Sequence, residues 1–235
     1  MMNTEELIHK ASKATRVLSA LTDTTVNNLL SDVADALIAE TESILQANKA
    51  DLERLDPTNP KYDRLQLTPE RIQGIANDMR AVTQLPSPLG RELERIVRPN
   101  GMSIQKVSVP FGFIGVIYEA RPNVTANVFA LCMKSGNVCV LKGGSDAEQT
   151  NLRIVEVIHA VLLQHQVEPA VCTLLPAHRE ATTALLNAVG AVDLIIPRGS
   201  SSLINYVRDN ARVPVIETGA GICHTYFDRS GDVVK

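Results

Sequence analysis

Four polar runs each follow directly on a stretch of apolar, β-prone residues, and their side chains are of kinds that bind or polarise. The first is Tyr118-Glu119-Ala120-Arg121-Pro122-Asn123-Val124-Thr125, after residues 113–117. An asparagine amide can donate to an oxyanion developing on a carbonyl oxygen, and a guanidinium can hold a carboxylate or phosphate. Asn123 or Thr125 could equally cap a following helix. The second run, Lys142-Gly143-Gly144-Ser145, sets an ammonium beside two glycines that let backbone approach a ligand closely. Gly-Gly also suits a tight turn. The third, Pro197-Arg198-Gly199-Ser200-Ser201-Ser202, opens a helix whose free N–H groups would seat a phosphate, with serine hydroxyls as added donors or as N-caps. The fourth, Glu217-Thr218-Gly219-Ala220-Gly221, places a carboxylate at the end of a buried strand, which is costly unless it has a partner or a task. Its glycines would admit a flat ring.

The elements that must carry these runs fall into two groups. Up to about residue 88 the chain reads as helices. Thr4 stands as a helix cap, and apolar residues from Val26 to Leu45 keep helical spacing for about five turns. Prolines 57 and 60 break the pattern, and Thr68-Pro69-Glu70 reads as an N-cap, a proline at the first helical position and an acid in the first turn. Beyond residue 92, short β-rich runs at 107–109, 113–117, 138–141, 172–175, 194–196 and 213–216 alternate with helical ones near 125–134, 146–165, 178–189 and 201–210. Several runs are apolar at every residue, as strands covered on both faces are, and the alternation predicts a parallel sheet with right-handed crossovers. In such sheets ligands bind beyond the carboxyl ends of the strands. Polar loops recurring at those ends point to a shared dinucleotide site, although the G-x-G-x-x-G pattern occurs nowhere.

Other chemistries are disfavoured. The four cysteines form no C-x-x-C pair and the five histidines show no H-x-H or H-E-x-x-H spacing, so neither a metal site nor a disulfide framework is expected. Cys223 and His224 adjoin, but in extended chain adjacent side chains face opposite ways, and a nucleophile–base pair cannot form. A net charge of −3 gathers neither nucleic acid nor anionic lipid, and 3% aromatic residues supply no stacking platform. No apolar run approaches the ~18 residues of a membrane span. The polar first residues have no signal-peptide character, so a cytoplasmic chain acting on a small molecule is expected.

The run VPFGFIGVIYEARPNVTANVFALCMKSGNVCVLKGG at 109–144 closely resembles the γ-glutamyl phosphate reductase family, within the aldehyde dehydrogenase superfamily. LTPERIQGIANDMRAV, LIIPRGSSSLI and PVIETGAGICHTYFD resemble the same family, in order along nearly the whole chain. The resemblance implies an aldehyde-dehydrogenase-like α/β fold, with N-terminal helices at 1–90 followed by a parallel Rossmann-type dinucleotide-binding sheet at 91–235. It implies reduction of γ-glutamyl phosphate to glutamate 5-semialdehyde by a thiol mechanism, and a homo-oligomer at full length. It sets Lys142 against an adenosine ribose, Gly199 and Ser200 at a pyrophosphate and Glu217 near a nicotinamide. Ser145 stands where relatives that prefer NAD often carry a glutamate, so NADPH is the expected cofactor. Gly143, Gly144, Ser145, Ser201 and Gly219 complete the cofactor-binding candidates; Asn123 and Glu217 are the catalytic ones, Glu119 and Arg121 the substrate-binding ones. The family's nucleophilic K-T-Q-R-P-S-x-C-N motif is absent from these residues, so an incomplete, non-catalytic cofactor-binding part is expected. A non-catalytic interaction module, or another acyl-reducing relative, stands as the alternative.

Overall fold

The computed structural model describes residues 3–119, 121–217 and 224–232. Helix α1, Thr4–Lys13, is capped by Asn3 and not, as expected, by Thr4. The Asn3 side chain accepts from the Glu6 N–H at 2.8 Å while the Glu6 carboxylate accepts from the Asn3 N–H at 2.9 Å, a reciprocal box that puts Thr4 inside the helix. After the short turn α2, Thr15–Leu18, the long stripe divides into two helices, α3 (Asp23–Ala39) and α4 (Thr41–Leu52), where a single one was expected. The break is at Glu40, with φ −94° and ψ 15°. There the Thr41 hydroxyl donates to the Ile38 carbonyl at 2.7 Å and the Ser43 hydroxyl to the Glu40 carbonyl at 2.9 Å, so side chains compete for the helix acceptors. A short turn, α5 (Tyr62–Leu65), leads to α6 (Pro69–Gln84), which Thr68 and Pro69 begin as the sequence indicates: Thr68 Oγ1 accepts from the Arg71 N–H at 3.2 Å.

An antiparallel hairpin of β1 (Glu92–Val97) and β2 (Ser103–Val107) follows, turned at Gly101 with φ 82°. It corrects the expected strand at 107–109. Glu92, Glu94, Arg95, Gln105 and Lys106 could not enter a sheet covered on both faces, and every residue of both strands is exposed.

The main sheet is parallel, in the order β5-β4-β3-β6: β3 is Phe113–Tyr118, β4 Val138–Lys142, β5 Cys172–Leu174 and β6 Leu194–Arg198. Its crossover helices are α7 (Pro122–Lys134), α8 (Glu148–Gln164), entered through a 3₁₀ turn at Ser145–Ala147, and α9 (Arg179–Leu186); α10 (Ser201–Asn210) follows β6. β3 and β4 are buried at every residue: their apolar runs as strands covered on both faces are, and Lys142 with them at the end of β4. The expected strand at 213–216 is reduced to one parallel bridge, Ile195 to Val215, because Pro214 accepts from Ile195 at 2.8 Å but has no N–H to donate.

One hydrophobic cluster joins the N-terminal helices to the sheet, from Ile8 and Leu29 through Met79 and Phe113 to Val213. Polar ties lock the same contact. Buried Lys134, on α7, donates to Asp23 and Asn27 of α3, each at 2.7 Å. Buried Asp51, on α4, accepts from the Thr150 N–H at 2.8 Å and the Gln149 N–H at 3.1 Å, capping α8 from outside. Among the described residues, no helix is long and apolar enough to cross a membrane.

Candidate cofactor and substrate site

Parallel pairing in register brings three strand ends to one edge. Ile117 lies opposite Lys142 and Tyr118 opposite Arg198, so the loops after β3, β4 and β6 converge there. Glu119 and Ser200 meet at this edge. The Glu119 carboxylate accepts from the Ser200 N–H at 2.9 Å and from the Ser200 hydroxyl at 2.8 Å. Gly199 makes the approach possible, since a Cβ there would stand 2.8 Å from a Glu119 oxygen. Ser200 is also the N-cap of α10, its oxygen accepting from the Leu203 N–H at 3.4 Å. Its single proton goes to Glu119, so the Ser202 hydroxyl, 2.8 Å away, donates to Ser200 Oγ. Ser201 is exposed on the first turn.

The edge therefore already holds an oxyanion: a carboxylate, standing where a phosphate oxygen would find the same two donors and the same helix dipole. The residues fit a phosphate-bearing ligand once the Glu119 side chain moves aside. Lys142 lies one strand further on. Its ammonium is buried, donating to the carbonyls of Gly143 at 2.9 Å and Ala177 at 3.0 Å, which leaves one proton free. Burial lowers its pKa, with the charge of Glu148 acting the other way. Gly143 answers an internal need: a Cβ would come 2.5 Å from Asn151 Nδ2. Gly144 caps the 3₁₀ turn, and exposed Ser145 borders a cavity of about 200 Å³ with Arg54 and Asp146.

Beneath the strand ends lies a closed polar network. Thr125 Oγ1 donates to Asn151 Oδ1 at 2.8 Å, so the buried Tyr118 hydroxyl, 2.7 Å away, donates to Thr125. Burial pushes the Tyr118 pKa well up, which keeps that proton in place. Neither Asn123 nor Thr125 caps α7; Arg121 holds the N-cap position with no side-chain bond, and Asn123 is exposed in the first turn.

Two cavities adjoin this loop. One, of about 330 Å³, is bordered by Arg64, Glu119, Arg121, Arg198 and Ser200. The other, of about 350 Å³, is bordered by Arg64, Asp78, Arg121 and Asn123. Arg64 comes from α5, a turn beside the proline break that no motif marks; Asp78 comes from α6, inside the LTPERIQGIANDMRAV segment, where the sequence gives it no role. Glu217 borders neither cavity; it is exposed and lies 3.6 Å from Arg208. Gly219 and Cys223 lie outside the described residues. Cys132, Cys139 and Cys172 are buried in the core; contact with Cys139 and burial push the Cys132 thiol well up, and for Cys139 the opposing contact with Cys132 is outweighed by contact with Cys172 and burial.

A parallel α/β sheet whose strand-end loops converge at one edge is the frame in which open α/β sheets bind their ligands. A model of the aldehyde dehydrogenase family matches residues 2–220, and the chain belongs to that family. It is 63% identical to the γ-glutamyl phosphate reductase of Parabacteroides distasonis, over 100% of this chain and 56% of that relative. The chain thus spans about half the length of the curated relatives it matches. The crystal structure of γ-glutamyl phosphate reductase from Thermotoga maritima superposes with a TM-score of 0.90 at 35% identity, covering 94% of this chain and 54% of that one. GapN, the glyceraldehyde-3-phosphate dehydrogenase of Methanocaldococcus jannaschii, crystallised with NADP, shares the fold with a TM-score of 0.70 at 19% identity, over 93% of this chain and 46% of that one. Family membership implies a nicotinamide cofactor.

Proposed function

We propose that these residues form the cofactor-binding part of a cytoplasmic, NADPH-dependent reductase that converts γ-glutamyl phosphate to glutamate 5-semialdehyde and phosphate in proline biosynthesis. The observation that carries this is the oxyanion seat at Ser200 on the same sheet edge as Asn123, in a chain 63% identical to a γ-glutamyl phosphate reductase. The Ser200 N–H and hydroxyl would hold the pyrophosphate, and the remaining Lys142 proton a ribose hydroxyl. Neutral Ser145 does not repel a 2′-phosphate as a glutamate there would, which supports NADPH over NADH; Arg54 across the cavity is already paired with Asp51.

The bound cofactor supplies hydride. In acyl transfer from phosphate to a thiol, the C–S bond forms as the C–O bond to phosphate breaks. In that step and in the reduction that follows, negative charge gathers on the carbonyl oxygen. Asn123 is the side chain here that can donate an amide proton to it, and Arg121 is placed to orient the substrate's anionic groups. Cys132, Cys139 and Cys172 do not supply the thiol: each is buried away from the edge. Because the family's nucleophilic motif is absent from them, the 235 residues alone should bind cofactor without turnover, and the full-length protein is proposed to be a homo-oligomer.

Asn123→Ala in the whole protein tests the assignment. Removal of one oxyanion donor should lower kcat for NADP-dependent oxidation of glutamate 5-semialdehyde in the presence of phosphate by roughly 10²–10³-fold. Unchanged kcat would remove Asn123 from the mechanism, and no activity of the unaltered whole protein on this substrate would remove the proposal.

A further inference from the structure

The second cavity carries both signs of charge on its walls. Arg64 and Arg121 border it together with Asn123, and so does Asp78. The two guanidinium groups and the Asp78 carboxylate make no hydrogen bond or ion pair with any described residue. Arg71 also borders the cavity, but its guanidinium is committed to the Asp63 carbonyl, to the Gln66 carbonyl at 2.7 Å and to Asp63 Oδ1 at 2.8 Å. That commitment fixes the α5 turn from which Arg64 extends. Gly74 lies on the same wall with nothing within 4 Å of where a Cβ would stand, so the space over α6 is open.

Two free guanidiniums and one free carboxylate around a cavity complement a zwitterion better than a simple anion. Asp78 would repel a phosphate placed here, whereas the Ser200 seat in the neighbouring cavity has the donors a phosphate needs. We propose that Arg64 and Asp78, from the N-terminal helices, complete with Arg121 a subsite for the zwitterionic end of an α-amino acid. Arg64 and Arg121 take the carboxylate, and Asp78 takes the ammonium. The remainder of the molecule then extends toward Asn123. The identity of the amino acid rests on the function proposed above; the subsite rests on its own geometry.

The test uses L-glutamate and glutarate, which differ in the ammonium, titrated into the purified chain by calorimetry or ligand-observed NMR. The unaltered chain should bind L-glutamate more tightly than glutarate. Arg64→Gln should weaken both by roughly tenfold or more, the loss of one charge-assisted contact. Asp78→Asn should weaken L-glutamate by a similar factor, bind glutarate at least as tightly as the unaltered chain, and leave NADPH unchanged. Thermal melts matching the unaltered chain confirm that both exposed substitutions leave the fold intact. Binding of neither compound, equal binding of both, or Arg64→Gln behaving like the unaltered chain would each overturn the subsite. If NADPH fails to bind while the glutamate pattern holds, the subsite stands and the cofactor assignment falls. The reverse result overturns the subsite alone.

Discussion

Ser200 does two things with one side chain: it caps α10 and it fixes the Glu119 carboxylate at the head of that helix. A motif of serine after glycine can be read as a cap or as a phosphate seat. The structure shows why spacing did not separate them, since one hydroxyl serves both geometries. Lys142 shows a titration consequence. Burial lowers its pKa, so its folded-state value lies below that of the unfolded chain. Between the two values the unfolded chain binds more protons, and stability rises with pH. Relative to Lys142→Met, the unaltered chain should gain stability as the pH is raised from neutral to just below the ordinary lysine pKa of ~10.4. Urea midpoints of both proteins at the two ends of that range measure this, and a constant difference would contradict it. The thiols make a second residue-scale prediction. Cys132, Cys139 and Cys172 should resist alkylation in the native chain near neutral pH and react only on unfolding, read by mass spectrometry. Rapid native labelling of any of the three would refute their assignment as core residues.

Elements were legible in proportion to how far one physical rule decided them. β3 and β4 are buried at every residue, and residues 113–117 and 138–141 are the uninterrupted apolar runs that read as covered strands. α6 was set by Thr68 and Pro69 before any tertiary contact. The hairpin of β1 and β2 was not, because its charged residues keep both faces in solvent and no core-facing alternation marks it. The division of α3 from α4 was hidden as well: the stripe runs on across Glu40, and only hydroxyl-to-carbonyl bonds turn the chain. Ties between elements depend on pairings about a hundred residues apart, which no local pattern displays. Asp51→Ala should test the strongest of these. It removes a buried carboxylate from the α8 N-terminus, where it accepts two N–H bonds and the Thr150 hydroxyl at 2.6 Å. The expected loss is roughly 2–3 kcal/mol in chemical denaturation, the scale of hydrogen bonds to a charged group. A loss too small to measure would mean that the Asp51 carboxylate adds nothing net to the contact of α4 with α8, which Asn48 to Thr150 and Arg153 to Ser43 also bridge.

At the scale of the molecule, the sheet edge was legible and its far wall was not. The strand-end rule located Glu119, Arg121, Asn123, Lys142 and Ser200. Arg64 and Asp78 enter the same region because α6 packs against α7 and Arg71 of α6 holds the α5 turn beside it, a relation that the fold creates. The hairpin gives a further expectation. Ile96 and Ile104 form a cross-strand pair and are both exposed, on a two-stranded sheet with free edges. The chain should self-associate, and Ile96→Lys with Ile104→Lys should shift it toward monomer in light scattering; an unchanged mass would exclude the hairpin as the contact. The central claim is that the strand-end edge binds a phosphorylated nicotinamide cofactor. Fluorescence titration of NADPH into the purified chain, alongside Ser200→Ala, Lys142→Met and an NADH control, tests it most directly. Saturable binding that favours NADPH over NADH and weakens in both variants is the predicted result. Absence of saturable binding by the folded chain, or binding indifferent to both substitutions, would contradict it.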